Sequence, residues 1–118
     1  MCSSDLLRMS SNYRWEELVD SAELVQAAML FQSRVLTREY GRLFVNAGQQ
    51  LLRYSELIPS SMKEVENDPQ KFNSANVRVG AVLRRLQHDV ARLDKERDRM
   101  MAHGMKALRR IAMMKCEE

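Results

Sequence analysis

The chain has 118 residues, of which 45% are hydrophobic and only 6% aromatic, with four glycines and two prolines. This length allows at most one domain, and so few glycines and prolines exclude an all-β chain, which needs frequent turns. The net charge of +3 arises from 19 basic and 16 acidic residues that are interspersed, so the chain is not a polyelectrolyte. No apolar run approaches the roughly 18–20 residues that span a bilayer.

The N-terminal segment 1–12, MCSSDLLRMSSN, is rich in serine and only weakly apolar. We interpret it as a disordered tail, because it is too short and too polar for a secretory signal. Cys2 and Cys116 lie near the two ends of the chain and lack the paired spacing of a zinc site or a disulfide framework. The cysteine usage therefore predicts a reducing intracellular compartment, cytoplasmic or nuclear.

A first long helix is predicted over residues 13–58. Asn12 can cap it, and no proline interrupts it before Pro59, which disfavours helical geometry at Ile58. The polar segment 59–68 that follows is predicted to form a turn.

A second long helix is predicted over residues 69–115, with residues 117–118 as the C-terminal end. Asp68 followed by Pro69 is typical of an N-cap with proline at the first helical position. The helix could equally start at Asn73 or Ser74. Two helices of matched length around a short turn predict an all-α fold, a long antiparallel helical hairpin.

Apolar residues in both helices recur with the period of a coiled coil. In the second helix the two rows are Val79, Leu86, Leu93, Met100, Ala107, Met114 and Leu83, Val90, Arg97, Gly104, Ile111. In the first helix the row is Trp15, Leu18, Ala22, Val25, Met29, Leu36, followed after a four-residue shift by Tyr40, Phe44, Ala47, Leu51, Tyr54, Ile58. Folding the chain about residues 63–64 predicts that Gly48 faces Gly80 or Val79 and that Ala22 faces Gly104 or Met105, so that small residues allow close helix approach.

The first helix carries a further apolar row that a single partner helix cannot cover, formed by Leu24, Ala28, Phe31 and Val35. The opposing segment Asp94–Arg99 consists of six charged residues and covers it poorly. Such a row left in water favours association. We therefore predict that these four residues form a protein interface, and that the hairpin assembles into a four-helix-type bundle with a second copy or with other coiled-coil subunits.

One basic row runs along the second helix, and it consists of Arg78, Arg85, Arg92, Arg99 and Lys106. It could track a phosphate backbone, but Asp89 and Glu96 lie four residues beyond Arg85 and Arg92 and can pair with them. A solvated face is the preferred interpretation, with an anionic partner such as a nucleic acid as the alternative. The basic, amphipathic segment 103–115 could sit on an anionic membrane surface or in a calmodulin-like groove, although the preferred interpretation is that it closes a helical bundle.

The sequence contains no motif for catalysis. It has no glycine-rich phosphate loop and no nucleophile motif, and neither His88 nor His103 has a partner at metal-ligand spacing. We predict no enzyme activity, no catalytic residue, no metal, no cofactor and no small-molecule substrate. The predicted function is that of a non-enzymatic scaffold or adaptor subunit of a multi-protein coiled-coil complex; the alternative is a helical protein that binds nucleic acid through the basic row.

Overall fold

The structure, a computed structural model, describes residues 22–117, and the side chains among them as far as Met114. This part of the chain is helical almost throughout and contains no strand, which confirms the all-α prediction. The helices are α1 (Ala22–Ser55), α2 (Met62–Asn67) and α3 (Pro69–Glu117). The predicted N-terminal tail, the Asn12 cap and the first helical residues, including Trp15 and Leu18, lie outside the described residues.

Helix α1 ends at Ser55, three residues before the predicted end. The amides of Leu57 and Ile58 donate to the carbonyls of Tyr54 and Ser55 at 3.0 and 3.3 Å, and these three-residue spacings tighten the last turn before Pro59. Pro59 therefore limits the helix at Ser55, four residues before it, and not only at the adjacent Ile58.

The predicted turn 59–68 contains a short helix, so the expectation of a plain turn is wrong. The hydroxyl of Ser61 caps α2 by accepting from the amide of Glu64 at 3.3 Å. The Glu64 carboxylate in turn accepts from the backbone amide and the hydroxyl of Ser60, each at 3.1 Å. The bond to Ser61 satisfies an amide that the first turn of a helix cannot pair internally, and the two bonds to Glu64 hold the preceding residue Ser60 against the helix.

Helix α3 begins at Pro69, as predicted, and not at Asn73 or Ser74. The Asp68 carboxylate accepts from the amide of Lys71 at 3.3 Å, the bond expected of an N-cap residue. Pro69 occupies the first helical position, where its missing N–H costs nothing.

The chain forms two compact units, each with residues from α1 and α3. Unit 1 comprises residues 22–39 and 92–117 of the described chain, and unit 2 comprises residues 40–91. The buried residues of unit 1 on α3 belong to the two predicted rows, whereas on α1 Val25 and Leu36 belong to the predicted inward row and Ala28 and Gln32 do not. The full set is Val25, Ala28, Gln32, Leu36, Leu93, Met100, Gly104, Ala107 and Ile111.

Unit 2 has a much smaller core, whose only buried residues are Ala47 and Ala75. The side chains of Leu51, Tyr54 and Leu86 are half-buried. Because two alanines remove little apolar surface from water, unit 2 gains less from fully buried side chains than unit 1 does, and most of its apolar burial comes from half-buried residues.

The expected close approach at Gly48 is wrong, since a Cβ built there would meet nothing within 4 Å. Close packing occurs instead in unit 1, where Met29 rather than Ala22 lies against Gly104.

Candidate association surfaces

The predicted interface row is covered unevenly by the chain itself. Leu24 is 50% exposed, Phe31 and Val35 are half-buried, and Ala28 is buried with 8% exposure. The expectation that one chain leaves all four residues in water is therefore wrong for Ala28 and too strong for Phe31 and Val35. Leu24 is therefore the most exposed of the four residues, with half of its surface accessible to solvent.

The core of unit 1 contains a polar residue that the apolar pattern did not reveal. Gln32 is 2% exposed, and its Oε1 accepts no hydrogen bond from any described residue. It occupies the seam position between Val25 and Leu36, which the seven-residue period marks as buried whatever residue stands there. A buried amide oxygen without a donor lowers stability by roughly 1–3 kcal/mol.

A second apolar face of α1 points outward in unit 2. Phe44, Val45 and Leu52 on it are 56%, 59% and 71% exposed. Gly41 and Gly48 lie on the same face because all five residues follow the spacing i, i+3, i+4, i+7, i+11. The prediction that Phe44 belongs to the inward row is therefore wrong. We call this surface, formed by Gly41, Phe44, Val45, Gly48 and Leu52, the outward face.

Helix α3 also leaves large apolar side chains uncovered in unit 2. Val77 is 66% exposed, Leu83 is 43% exposed and Phe72 is 37% exposed. Leu83 was expected in the seam, and its exposure shows that the two predicted seam rows of α3 are not buried equally in this unit. Unit 2 thus combines a small core with exposed apolar residues on both of its long helices.

Two arginines of the basic row form ion pairs within α3, as their spacing predicts. In unit 2, Arg85 Nε lies 3.9 Å from Asp89 Oδ2, and in unit 1, Arg92 Nη1 lies 3.8 Å from Glu96 Oε1. Pairs four residues apart on an exposed helix surface contribute only tenths of a kcal/mol. Their importance here is that part of the positive charge of the row is neutralised locally.

The C-terminal part of α3 presents methionines to solvent. Ile111 is buried in unit 1, whereas Met101, Met105, Met113 and Met114 are 46%, 41%, 66% and 50% exposed. The row prediction for Met114 is therefore wrong. From Arg99 to Lys115 the sequence contains basic but no acidic residues. This stretch of α3 therefore carries only basic charges.

A shallow groove in unit 2 has a volume of about 350 Å³. Asn46 and Gln50 of α1 and the ion pair Arg85–Asp89 of α3 give it a polar lining. Asn46 lies two residues beyond Phe44, about 200° around the helix, so the groove and the outward face occupy opposite sides of α1. The groove brings no nucleophile and base together.

Within residues 22–117 no cluster of three histidines, cysteines or acidic residues could hold a metal ion. None of the described helices contains an apolar stretch long enough to cross a bilayer.

No family model, curated protein or solved structure matches this chain. The proposal for its function therefore rests on the surfaces described above.

Proposed function

We propose that the chain is a non-enzymatic scaffold or adaptor subunit that acts by helix–helix association in a multi-protein complex. In this proposal α1 and α3 form an antiparallel coiled-coil hairpin that contributes two helices to a larger bundle. The support for a hairpin is that each unit contains residues of both long helices. The contact of Met29 with Gly104 in unit 1 and the shared groove in unit 2 are consistent with it.

The observation that carries the proposal is the contrast between the core and the surface of unit 2. Its buried residues are two alanines, while Phe44, Val45 and Leu52 of α1 are each more than half exposed. Complete burial of such side chains is worth about 1.5–3 kcal/mol each, so a partner helix would supply stabilisation that unit 2 lacks by itself. Exposed apolar residues that gather on one helix face are typical of association surfaces.

The choice of an association role over nucleic-acid binding is supported by the ion pairs of Arg85 and Arg92. These pairs leave less unneutralised charge for phosphates, and exposed Phe44 and Val45 would have no role in tracking a nucleic-acid backbone. Fluorescence anisotropy with mixed-sequence DNA and RNA across a salt series tests the alternative. We expect no tight binding; submicromolar binding with a steep salt dependence would favour the nucleic-acid role.

The association itself can be tested by photo-crosslinking in cells. A photoreactive amino acid at Val45 should give adducts with a helical protein, whereas the same residue at exposed Gln26 of unit 1 serves as the matched control. Adding Phe44→Glu should abolish the Val45 adducts, because it places a charge in the apolar contact. Sedimentation equilibrium of the purified chain then separates self-association from association with another protein. A folded monomer that gives no Phe44-dependent adduct at Val45 would refute the proposal.

A further inference from the structure

We propose that the C-terminal part of α3 binds the surface of membranes that contain anionic lipids. This inference goes beyond the proposed function and does not depend on it. It concerns one surface of unit 1, which we call the C-terminal face. Its apolar members are Met105, Leu108, Ala112 and Met113, and its basic members are Lys106, Arg109 and Arg110.

The C-terminal face lies away from the side of α3 that packs within the chain. The buried residues of this part of α3 are Gly104, Ala107 and Ile111. Lys106, Arg109 and Met113 each follow one of them by two positions, which places them about 200° further around the helix. A groove that encloses a whole helix could bind α3 here only if unit 1 opened, whereas a flat surface needs one side of the helix alone.

The apolar members of the face supply shallow insertion into a bilayer. Met105 is 41% exposed, Met113 is 66% exposed, Ala112 is exposed and Leu108 is half-buried. Met105, Leu108 and Ala112 follow the spacing i, i+3, i+7 and form one row along the helix. Methionine is unbranched and flexible, so it adapts to irregular apolar surroundings such as the boundary between headgroups and acyl chains.

The basic members of the face have no acidic neighbour along α3. Lys106, Arg109 and Arg110 are exposed, and no acidic residue lies within four positions of any of them. Ion pairs along a helix need a spacing of three or four residues, so these three side chains form none. They differ in this respect from Arg85 and Arg92, each of which pairs with an acid four positions further on.

The acidic residues in the described part of α1 in unit 1, Glu23 and Glu39, lie away from this face. Met29 marks where α1 contacts Gly104. Glu23 precedes the buried Val25 by two positions, so it lies about 200° around α1 from the packed side. Glu39 is about 15 Å along α1 from Met29, at the boundary with unit 2.

An anionic bilayer matches both parts of the face. From Arg99 to Lys115 the chain has five basic residues and no acidic one. Clusters of about four to eight lysines and arginines on an amphipathic helix are typical of binding to anionic lipids. A nucleic acid would offer phosphates to the same residues but would leave Met105 and Met113 in water, so the exposed methionines favour the membrane.

Co-sedimentation of the full chain with lipid vesicles tests the inference. Phosphatidylcholine vesicles with about 30% phosphatidylserine should bind at least tenfold more tightly than pure phosphatidylcholine vesicles, and about 500 mM salt should reduce the difference. Arg109→Glu should weaken binding at least fivefold, and Arg78→Glu, at an exposed position of α3 in unit 2, is the matched control. Met113→Gln should weaken binding at least threefold, and Met62→Gln is its control because Met62 is 72% exposed in unit 2.

Circular dichroism of the free chain should be the same in all four variants, since each replaces an exposed side chain. Equal binding to the two kinds of vesicle, absence of binding, or binding that Met113→Gln leaves unchanged would overturn the inference. Equal weakening by Arg78→Glu would also overturn it, because the net charge of the chain and not this face would then cause the attraction. Binding of duplex DNA without binding of vesicles would assign the basic residues to nucleic acid instead.

The outcome for the proposed function is separate. Phe44-dependent adducts at Val45 would support the scaffold role whether or not vesicles bind, and vesicle binding that depends on Arg109 and Met113 would stand even if no adduct formed.

Discussion

Met29 of α1 lies against Gly104 of α3 so closely that a Cβ at Gly104 would come within 2.7 Å of the Met29 Cγ and 2.8 Å of its Cε. No Cβ is tolerated at such distances unless Met29 moves. A side chain at Gly104 would thus displace Met29, in contrast to Gly41 and Gly48, whose surroundings are open. Gly104 therefore has a packing role that Gly41 and Gly48 do not have.

Alanine substitution should separate these two kinds of glycine. Gly41→Ala should raise the free energy of unfolding by about 0.5–1 kcal/mol, because alanine is the better helix former and nothing obstructs it. Gly104→Ala should be about 1–2 kcal/mol less stable than Gly41→Ala, since the gain in helix propensity is offset by displacement of Met29. Urea unfolding of both variants measures the difference. In a Met29→Ala background the difference should shrink; equal effects in the wild-type background would contradict the contact.

Replacement of Gln32 by a residue of similar size without an amide should stabilise the chain. Gln32→Met should raise the free energy of unfolding by about 1–2 kcal/mol, because Oε1 is buried without a donor and the methionine side chain fills a similar volume. Gln26→Met, at an exposed position of the same helix, should change it by less than about 0.5 kcal/mol. Destabilisation by Gln32→Met would instead show that the amide is bonded in solution.

The start of α3 can be tested by removing its cap. Asp68→Ala should lower the free energy of unfolding by about 1 kcal/mol, because the amide of Lys71 loses its acceptor. Ser74→Ala lies inside the helix and should be neutral or slightly stabilising, as alanine is the strongest helix former. Hydrogen exchange at the amide of Lys71 should accelerate only in the first variant. If Ser74→Ala were the more costly change, the helix would begin near Asn73 instead.

Two phenylalanines on α1 should respond differently to a negative charge. Phe44→Glu should change the free energy of unfolding of the isolated chain by less than about 0.5 kcal/mol, because Phe44 is already 56% exposed. Phe31→Glu should cost about 1–2 kcal/mol, since the half-buried ring loses contacts with its own chain. Thermal unfolding followed by circular dichroism compares the two. A greater loss for Phe44→Glu would contradict the outward orientation of that side chain.

The sequence predicted the helical content and the start of α3 because proline, aspartate and the scarcity of glycine act locally. The burial of Leu93, Met100 and Ala107 followed from the seven-residue period. The burial of Gln32 was missed because the rows were assembled from apolar residues, and a polar side chain at a seam position is not included in such a row. The α2 helix was missed although Ser61 and Glu64 have the spacing of a capping box, a signal available in the sequence.

The orientation of Phe44 could not be predicted because both faces of α1 are apolar between Tyr40 and Leu52. Periodicity then fits two rows about 100° apart, and only the position of α3 within unit 2 decides which row is inward. Gly48 presents the same difficulty, since a glycine that permits close packing and a glycine on an open surface have the same letter in the sequence.

The methionines of α3 differ in their exposure to solvent, so their rates of oxidation report whether the chain is folded. Peroxide converts accessible thioethers to sulfoxides, and burial protects them. Met101 and Met113 are 46% and 66% exposed, whereas Met100 is 2% exposed and adjoins Met101 in sequence. Mass spectrometry should therefore find Met101 and Met113 oxidised in the native chain well before Met100. Oxidation of Met100 at the same rate as its neighbour would signal that unit 1 had opened, so one peptide reports both exposure to oxidants and loss of the core.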